Sequence, residues 1–196
     1  MSMAATAGSG HSACIVAWAM CGCSLCLPVA AQAGFEAPLP LVAVNETLNH
    51  RIVFADDARN GARADQWATP DELMARGAGD CEDYAIAKYF ALLAAGVPRP
   101  NLRLAYTRVL MGGTGDTWRS HMVVAYLPAA AAAGDELILD NLLDEIRTLS
   151  RRPDLHVLIS FDADGVWTGL ERGPPARPAR QIAPWARVLQ RMTLPH

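Results

Sequence analysis

The apolar positions fall into two successive periods along the chain. Leu41, Val44, Leu48 and Ile52 recur at three and four residues, which predicts an N-terminal helix ending near Phe54. At Thr69-Pro70-Asp71-Glu72 a capping hydroxyl precedes a proline at the first helical position and a carboxylate at the third, so a short helix runs through about Ala75. Arg76-Gly77-Ala78-Gly79 interrupts it. Asp80 is placed to cap the next helix, with Asp83 in the reciprocal position, and Ile86, Tyr89, Phe90 and Leu93 give that helix its core stripe. Gly96-Val97-Pro98 ends it near Ala95.

Beyond this point the period becomes two. Leu102, Leu104 and Tyr106 alternate with Arg103, Ala105 and Thr107, and Met122 to Leu127 forms a second such run after the link Gly112-Gly113-Thr114-Gly115. Leu137-Ile138-Leu139 is a third strand. Val157-Leu158-Ile159 and Val166-Trp167-Thr168 flank the turn signal Asp162-Ala163-Asp164-Gly165 as a hairpin. Helices first and strands second predict an α+β fold, a helical layer on an antiparallel sheet, rather than a repeating βαβ unit. Ala129 to Ala133 fits either a helical turn or a loop. Gly173-Pro174-Pro175-Ala176-Arg177-Pro178 must be extended and outside any central strand, with Trp185 and Val188 re-anchoring the tail.

Composition narrows the class. The 196 residues, 52% hydrophobic and 19% charged, suffice for one domain with its own core. A formal charge of -3 argues against a nucleic-acid partner or a polybasic membrane anchor. The charge is unevenly placed: residues 1–33 carry no Lys, Arg, Asp or Glu, Ala13 to Val29 is apolar, and Ala31-Gln32-Ala33 fits a peptidase cut before Gly34. Residues 1–33 therefore read as a signal peptide, although His11 stands where a lysine or arginine is usual, and residues 34–196 as one exported domain. A retained transmembrane helix would ask for about 20 apolar residues in one run, and Pro28 interrupts this one. Four of the five cysteines, Cys14, Cys21, Cys23 and Cys26, leave with that segment, so Cys81 has no disulfide partner in the same domain.

A lone thiol in an oxidising compartment needs a reason. If Asp80 caps the helix, Cys81 sits in the first turn, where unpaired N–H groups favour thiolate. Asp80, Glu82 and Asp83 oppose this, because negative neighbours raise a thiol's pKa. Something positive is required nearby. One candidate is His121, opening His121-Met122-Val123-Val124, with Asp140 after Leu139 to orient its ring. The other is a cation: Asp80, Glu82 and Asp83 supply hard oxygen ligands suited to calcium, without the spacing of an EF-hand. Asp162-Ala163-Asp164-Gly165 could also attract calcium, but a hairpin needs no ion. Zinc on Cys81, His121 and Asp140 is disfavoured, since structural zinc normally takes four ligands.

Trp67-Ala68-Thr69-Pro70-Asp71-Glu72, the run from Gly79 to Tyr89, His121-Met122-Val123 and Leu139-Asp140-Asn141-Leu142 together resemble the bacterial transglutaminase-like cysteine proteinases over residues 38 to 170. The likeness is greatest to the periplasmic members that cut giant surface adhesins and release cells from biofilms. The resemblance implies a papain-like hydrolase with nucleophile Cys81, base Cys81's partner His121 and orienting Asp140. It also implies calcium (Ca2+) dependence carried by Asp80 and Glu82, with Asp83 a third ligand. The implied substrate is a large repeat-containing adhesin, cut near its N-terminus at a paired-alanine site. The implied regulator is an inner-membrane cyclic-di-GMP receptor that sequesters the protease, with Trp67 and Trp118 the candidate contacts. Two alternatives are an acyltransferase or amidase on the same fold, and a non-catalytic periplasmic adaptor.

Overall fold

The structure, a computed structural model, describes residues 37–56, 66–112 and 117–193. The segment expected to be a signal peptide lies outside the described residues. Four helices, α1 (Leu39–Arg51), α2 (Pro70–Arg76), α3 (Cys81–Ala94) and α4 (Ala183–Thr193), accompany eight strands. Two short strands, β1 (Val53–Phe54) and β2 (Ala78–Gly79), pair in parallel; the others form one antiparallel sheet. These are β3 (Leu102–Met111), β4 (Thr117–Tyr126), β5 (Leu137–Leu139), β6 (Arg147–Thr148), β7 (Leu155–Phe161) and β8 (Val166–Thr168), in spatial order β6-β5-β4-β3-β7-β8. This is the α+β architecture expected from the change of period.

The helix boundaries follow from local chemistry. Thr69 Oγ1 accepts from the Glu72 N–H and Glu72 Oε2 accepts from the Thr69 N–H at 2.8 Å, a complete capping box at the start of α2. Gly77 ends α2 in the left-handed region, φ 66°, which a glycine adopts without steric cost. Asp80 Oδ1 then accepts the Asp83 N–H and caps α3. The α1 stripe buries Leu41, Leu48 and Ile52 as expected. The helix stops earlier than the stripe suggests, because Val53 and Phe54 pair with Ala78 and Gly79. That pairing was invisible in two residues of sequence on either side.

The long hairpin of β3 and β4 pairs Leu102 with Tyr126 through Met111 with Thr117, extending both strands past the alternating runs that signalled them. Leu102, Leu104, Met122, Val124, Leu137, Leu139 and Phe161 form one cluster with Ile86, Tyr89 and Leu92 of α3. Ala105, Val109, Val123, Ala125, Ile138 and Leu155, the alternate positions, form a second. The hairpin of β7 and β8 closes at the anticipated Asp-Ala-Asp-Gly turn. Residues 129–133 are turns rather than a helix.

The proline-rich segment runs alongside β8, bridged at Val166 and Arg177. Beyond it the tail does more than re-anchor. It forms α4, whose Trp185 and Val188 are fully buried and whose Trp185 Nε1 donates to the Asp162 carbonyl at 2.9 Å. Among the described residues no helix is long and apolar enough to cross a membrane.

Gly79 marks the tightest point beside the Cys81 helix. A Cβ there would stand 2.6 Å from Leu73 Cδ1 and 2.7 Å from Asp83 Oδ2. Gly79→Ala is therefore expected to cost about 1–3 kcal/mol of stability, the usual range for overpacking. The midpoint of urea unfolding measures it, and an unchanged midpoint would show that the loop relaxes freely.

Candidate active site

Cys81 is the first residue of α3 and is half-buried. Its Sγ donates to Glu82 Oε2 at 2.8 Å. Burial pushes the thiol pKa up, the Glu82 charge and hydrogen bond push it further, and Asp80 adds to them; only the Met122 backbone N–H pulls the other way. The flanking carboxylates thus oppose thiolate formation in the fold as their spacing in the sequence predicts. Met122 follows His121 on β4, so the sulfur sits beside the peptide that joins those two residues.

His121 and Asp140 are brought together. β5 pairs antiparallel with β4, with Leu139 opposite Val124, and Asp140 directly follows the end of β5. His121 Nε2 and Asp140 Oδ1 lie 2.7 Å apart, with both side chains buried. Thr107 on β3 donates its hydroxyl to the His121 carbonyl at 3.1 Å and ties down the strand behind the ring. Asp140 Oδ1 also accepts from the Leu142 N–H at 2.9 Å, and Oδ2 from Arg152 at 2.9 Å. Burial by itself would raise the Asp140 pKa. The His121 bond and charge, the Leu142 N–H and Arg152 outweigh it and hold the carboxyl down to about 2.

Arg152 escaped the sequence reading. It sits after a 3-10 turn with no motif around it, and its buried guanidinium is divided between Asp140 and Asp154. An arginine one residue ahead of a proline and an aspartate gives no sign of which distant carboxylate it will meet.

The three carboxylates around Cys81 part company. Asp80 and Glu82 remain half-buried at the helix start. Asp83 turns inward, where Oδ1 accepts from the Ala68 N–H at 2.6 Å and Oδ2 from Arg76 at 3.0 Å. Among the described residues no group of three or more His, Cys, Asp and Glu is arranged to hold a metal ion. At the β7–β8 turn, Asp162 Oδ1 accepts from the Asp164 and Gly165 N–H groups and Oδ2 from Arg103, so that turn is held without an ion. His50 meets Asp144 at the surface, and His156 is exposed on β7. His196 lies outside the described residues. Trp67 is buried and stacked on Phe161, whereas Trp118 is 40% exposed on β4.

A helix that presents a cysteine in its first turn to an antiparallel sheet bearing a buried His–Asp pair is the architecture of papain-like and transglutaminase-like enzymes. The chain belongs to the bacterial transglutaminase-like cysteine proteinases: that family's profile matches residues 6–173. It is a cysteine peptidase. Comparison with curated proteins gives no match. Among solved structures, calcium-bound LapG of Legionella pneumophila is similar at 36% identity and a TM-score of 0.67, over 80% of this chain and 82% of that one. EGTA-treated LapG from the same organism is similar at 35% identity and a TM-score of 0.68, over 80% and 81%.

Because the folded Asp140 pKa lies below its ordinary 3.8, the stabilisation it gives is full above that value and is lost as pH falls through about 2. Thermal unfolding between pH 5 and 2 should fall more steeply for wild type than for Asp140→Asn; parallel curves would contradict this. Arg152→Leu, which leaves a buried carboxylate short of its cation, should cost about 3–5 kcal/mol in urea unfolding.

Proposed function

We propose that this protein is a periplasmic, calcium-dependent endopeptidase that cuts a large repeat-containing surface adhesin near its N-terminus, at a paired-alanine site, and so releases cells from biofilms. Residues 1–33 are its signal peptide and residues 34–196 its proteinase domain. The observation that carries the reading is the buried His121–Asp140 pair on the strand against which the Cys81 sulfur rests.

In this reading Cys81 is the nucleophile. Asp140 occupies Nε2 of His121, which leaves Nδ1, the nitrogen nearer the strand backbone, to take the thiol proton. The thiolate adds to the scissile carbonyl, and the oxyanion is met by the Cys81 N–H, one of the unpaired donors at the start of α3. His121 returns its proton to the departing amine as the C–N bond breaks. Water then hydrolyses the thioester, with the same imidazole accepting its proton and restoring the thiol. Asp140 stays ionised throughout, held by Arg152 and Leu142.

Asp80 and Glu82 are the residues suited to calcium. Both are hard carboxylate oxygens at a loop-to-helix junction, where backbone carbonyls can complete a coordination shell. Glu82 meets only the weak donor of a thiol at 2.8 Å, while Asp83 is already engaged by a backbone N–H and an arginine. Asp83 then serves the site by fixing the start of α3. Bound calcium supplies a fixed positive charge that offsets the carboxylates opposing the thiolate. An inner-membrane cyclic-di-GMP receptor is the sequestering partner, and Trp118, exposed where Trp67 is buried, is its contact.

Incubating the purified domain with N-terminal fragments of its own adhesin, and mapping products by mass, tests this. Wild type with calcium should give one cut, and Cys81→Ala and His121→Ala none. Chelation, or Asp80→Ala with Glu82→Ala, should remove most of the activity. Cleavage by Cys81→Ala, or full activity without calcium and without those carboxylates, would overturn the proposal.

A further inference from the structure

The helix that carries Cys81 also carries a lysine that the chemistry above does not use. Lys88 is seven residues on, two turns along the same face, about 10 Å down the axis. Its side chain is 1% exposed inside an otherwise apolar stretch of α3 that includes Ala85, Ile86, Ala87 and Tyr89. Burying an ammonium this deeply is costly unless something answers it. The answer is a polar relay. Lys88 Nζ donates to Asn45 Oδ1 at 2.7 Å, and Asn45, itself fully buried on α1, donates through Nδ2 to the carbonyls of Asp144 and Leu143 at 2.9 and 3.4 Å. One turn along α1, Asn49 Nδ2 donates to the Asp140 carbonyl at 3.0 Å and to Asp144 Oδ1 at 2.9 Å.

The 140–144 segment begins with the residue that orients His121. The amide donors of Asn45 and Asn49 all end on that segment, at its backbone carbonyls or the Asp144 carboxylate. The relay therefore runs from the nucleophile's helix, across α1, to the loop that starts at Asp140. Burial pushes the Lys88 amine down and the Asp140 and Asp144 charges partly offset it, leaving it at about 7. Protonated or neutral, the amine can still donate to Asn45, so the connection persists across the neutral range.

We infer that Lys88, acting through Asn45, is a positioning residue that sets the placement of the Asp140 loop relative to the Cys81 helix. An apolar residue would fill the same space and bury more cheaply, but it would leave Asn45 and the loop carbonyls without a fixed orientation. The inference rests on Asp140 being the orienting member of the triad.

The test uses the calcium-loaded protein and the adhesin fragment, comparing Lys88→Met, Asn45→Ala and their combination with wild type and Cys81→Ala. Lys88→Met removes a buried charge but leaves Asn45 Oδ1 without its donor, so the thermal midpoint is read only to establish that the variant is folded. Its kcat should nonetheless fall about 10- to 100-fold with KM within about two-fold, the signature of a misplaced catalytic group. Asn45→Ala should lower kcat similarly, and the double variant should be no worse than the more severe single one, since both cut one connection. Wild-type kcat in folded Lys88→Met, or in Asn45→Ala if Lys88→Met does not fold, overturns the inference while leaving the proteinase reading intact. Losses that multiply in the double variant also overturn it. Activity in Cys81→Ala would instead strike the proteinase reading itself, and the inference with it.

Discussion

The site turns on keeping one buried carboxylate charged. Asp140 is 1% exposed, and an ionised carboxylate in that position survives only if several donors converge on it. His121, Arg152 and the Leu142 N–H do so from three directions. Each comes from a different part of the chain, so the β4–β5 pairing, the 3-10 turn before Arg152 and the loop after β5 must all be right together. The same convergence leaves the carboxylate no freedom to rotate, and the imidazole it holds is fixed in turn. Rigidity of the His121–Asp140 pair is thus a by-product of solvating a charge without water.

Cys81 lives under the opposite condition. Its first-turn position favours an anion, yet its immediate neighbours are acidic and one of them accepts the thiol proton. The two halves of the site are therefore unequally prepared. The His–Asp pair stands complete in the protein's own hydrogen bonds, whereas the sulfur sits in a field that favours its protonated form. Whatever alters the charge around Glu82 and Asp80 therefore shifts the balance between thiol and thiolate at Cys81.

Much of the fold was legible because local chemistry and burial agree. Thr69 to Glu72 spells a capping box, and Asp80 a helix start. The switch from helical to alternating periodicity at Leu102 marks where the sheet begins. What could not be read was set by distance along the chain. The β1–β2 ribbon is two residues per strand, too short for any period. Helix α4 follows a run of prolines and carries Arg187, Gln190 and Arg191 among its polar positions, so its two buried anchors, Trp185 and Val188, looked like isolated contacts. Cys81, His121 and Asp140 could be nominated from their flanking residues. Arg152, Asn45 and Lys88 could not, because each meets the site through a partner 12 to 99 positions away. Asp83 shows the converse: a carboxylate that spacing grouped with its neighbours is assigned by tertiary contact to Ala68 and Arg76.

The last helix gives the chain's far end a stake in its chemistry. Trp185 lies edge-on to Tyr89 of α3 and to Phe161 of β7, and Arg191 donates to the Trp67 carbonyl, next to the Ala68 N–H that secures Asp83. The family profile's match ends at residue 173, ten positions short of this helix. A boundary drawn where the resemblance ends would pull an indole out of the centre of the molecule and unclasp the turn ahead of α2. The smallest unit able to hold its own interior closed therefore reaches further toward the C-terminus than the stretch the family profile matches.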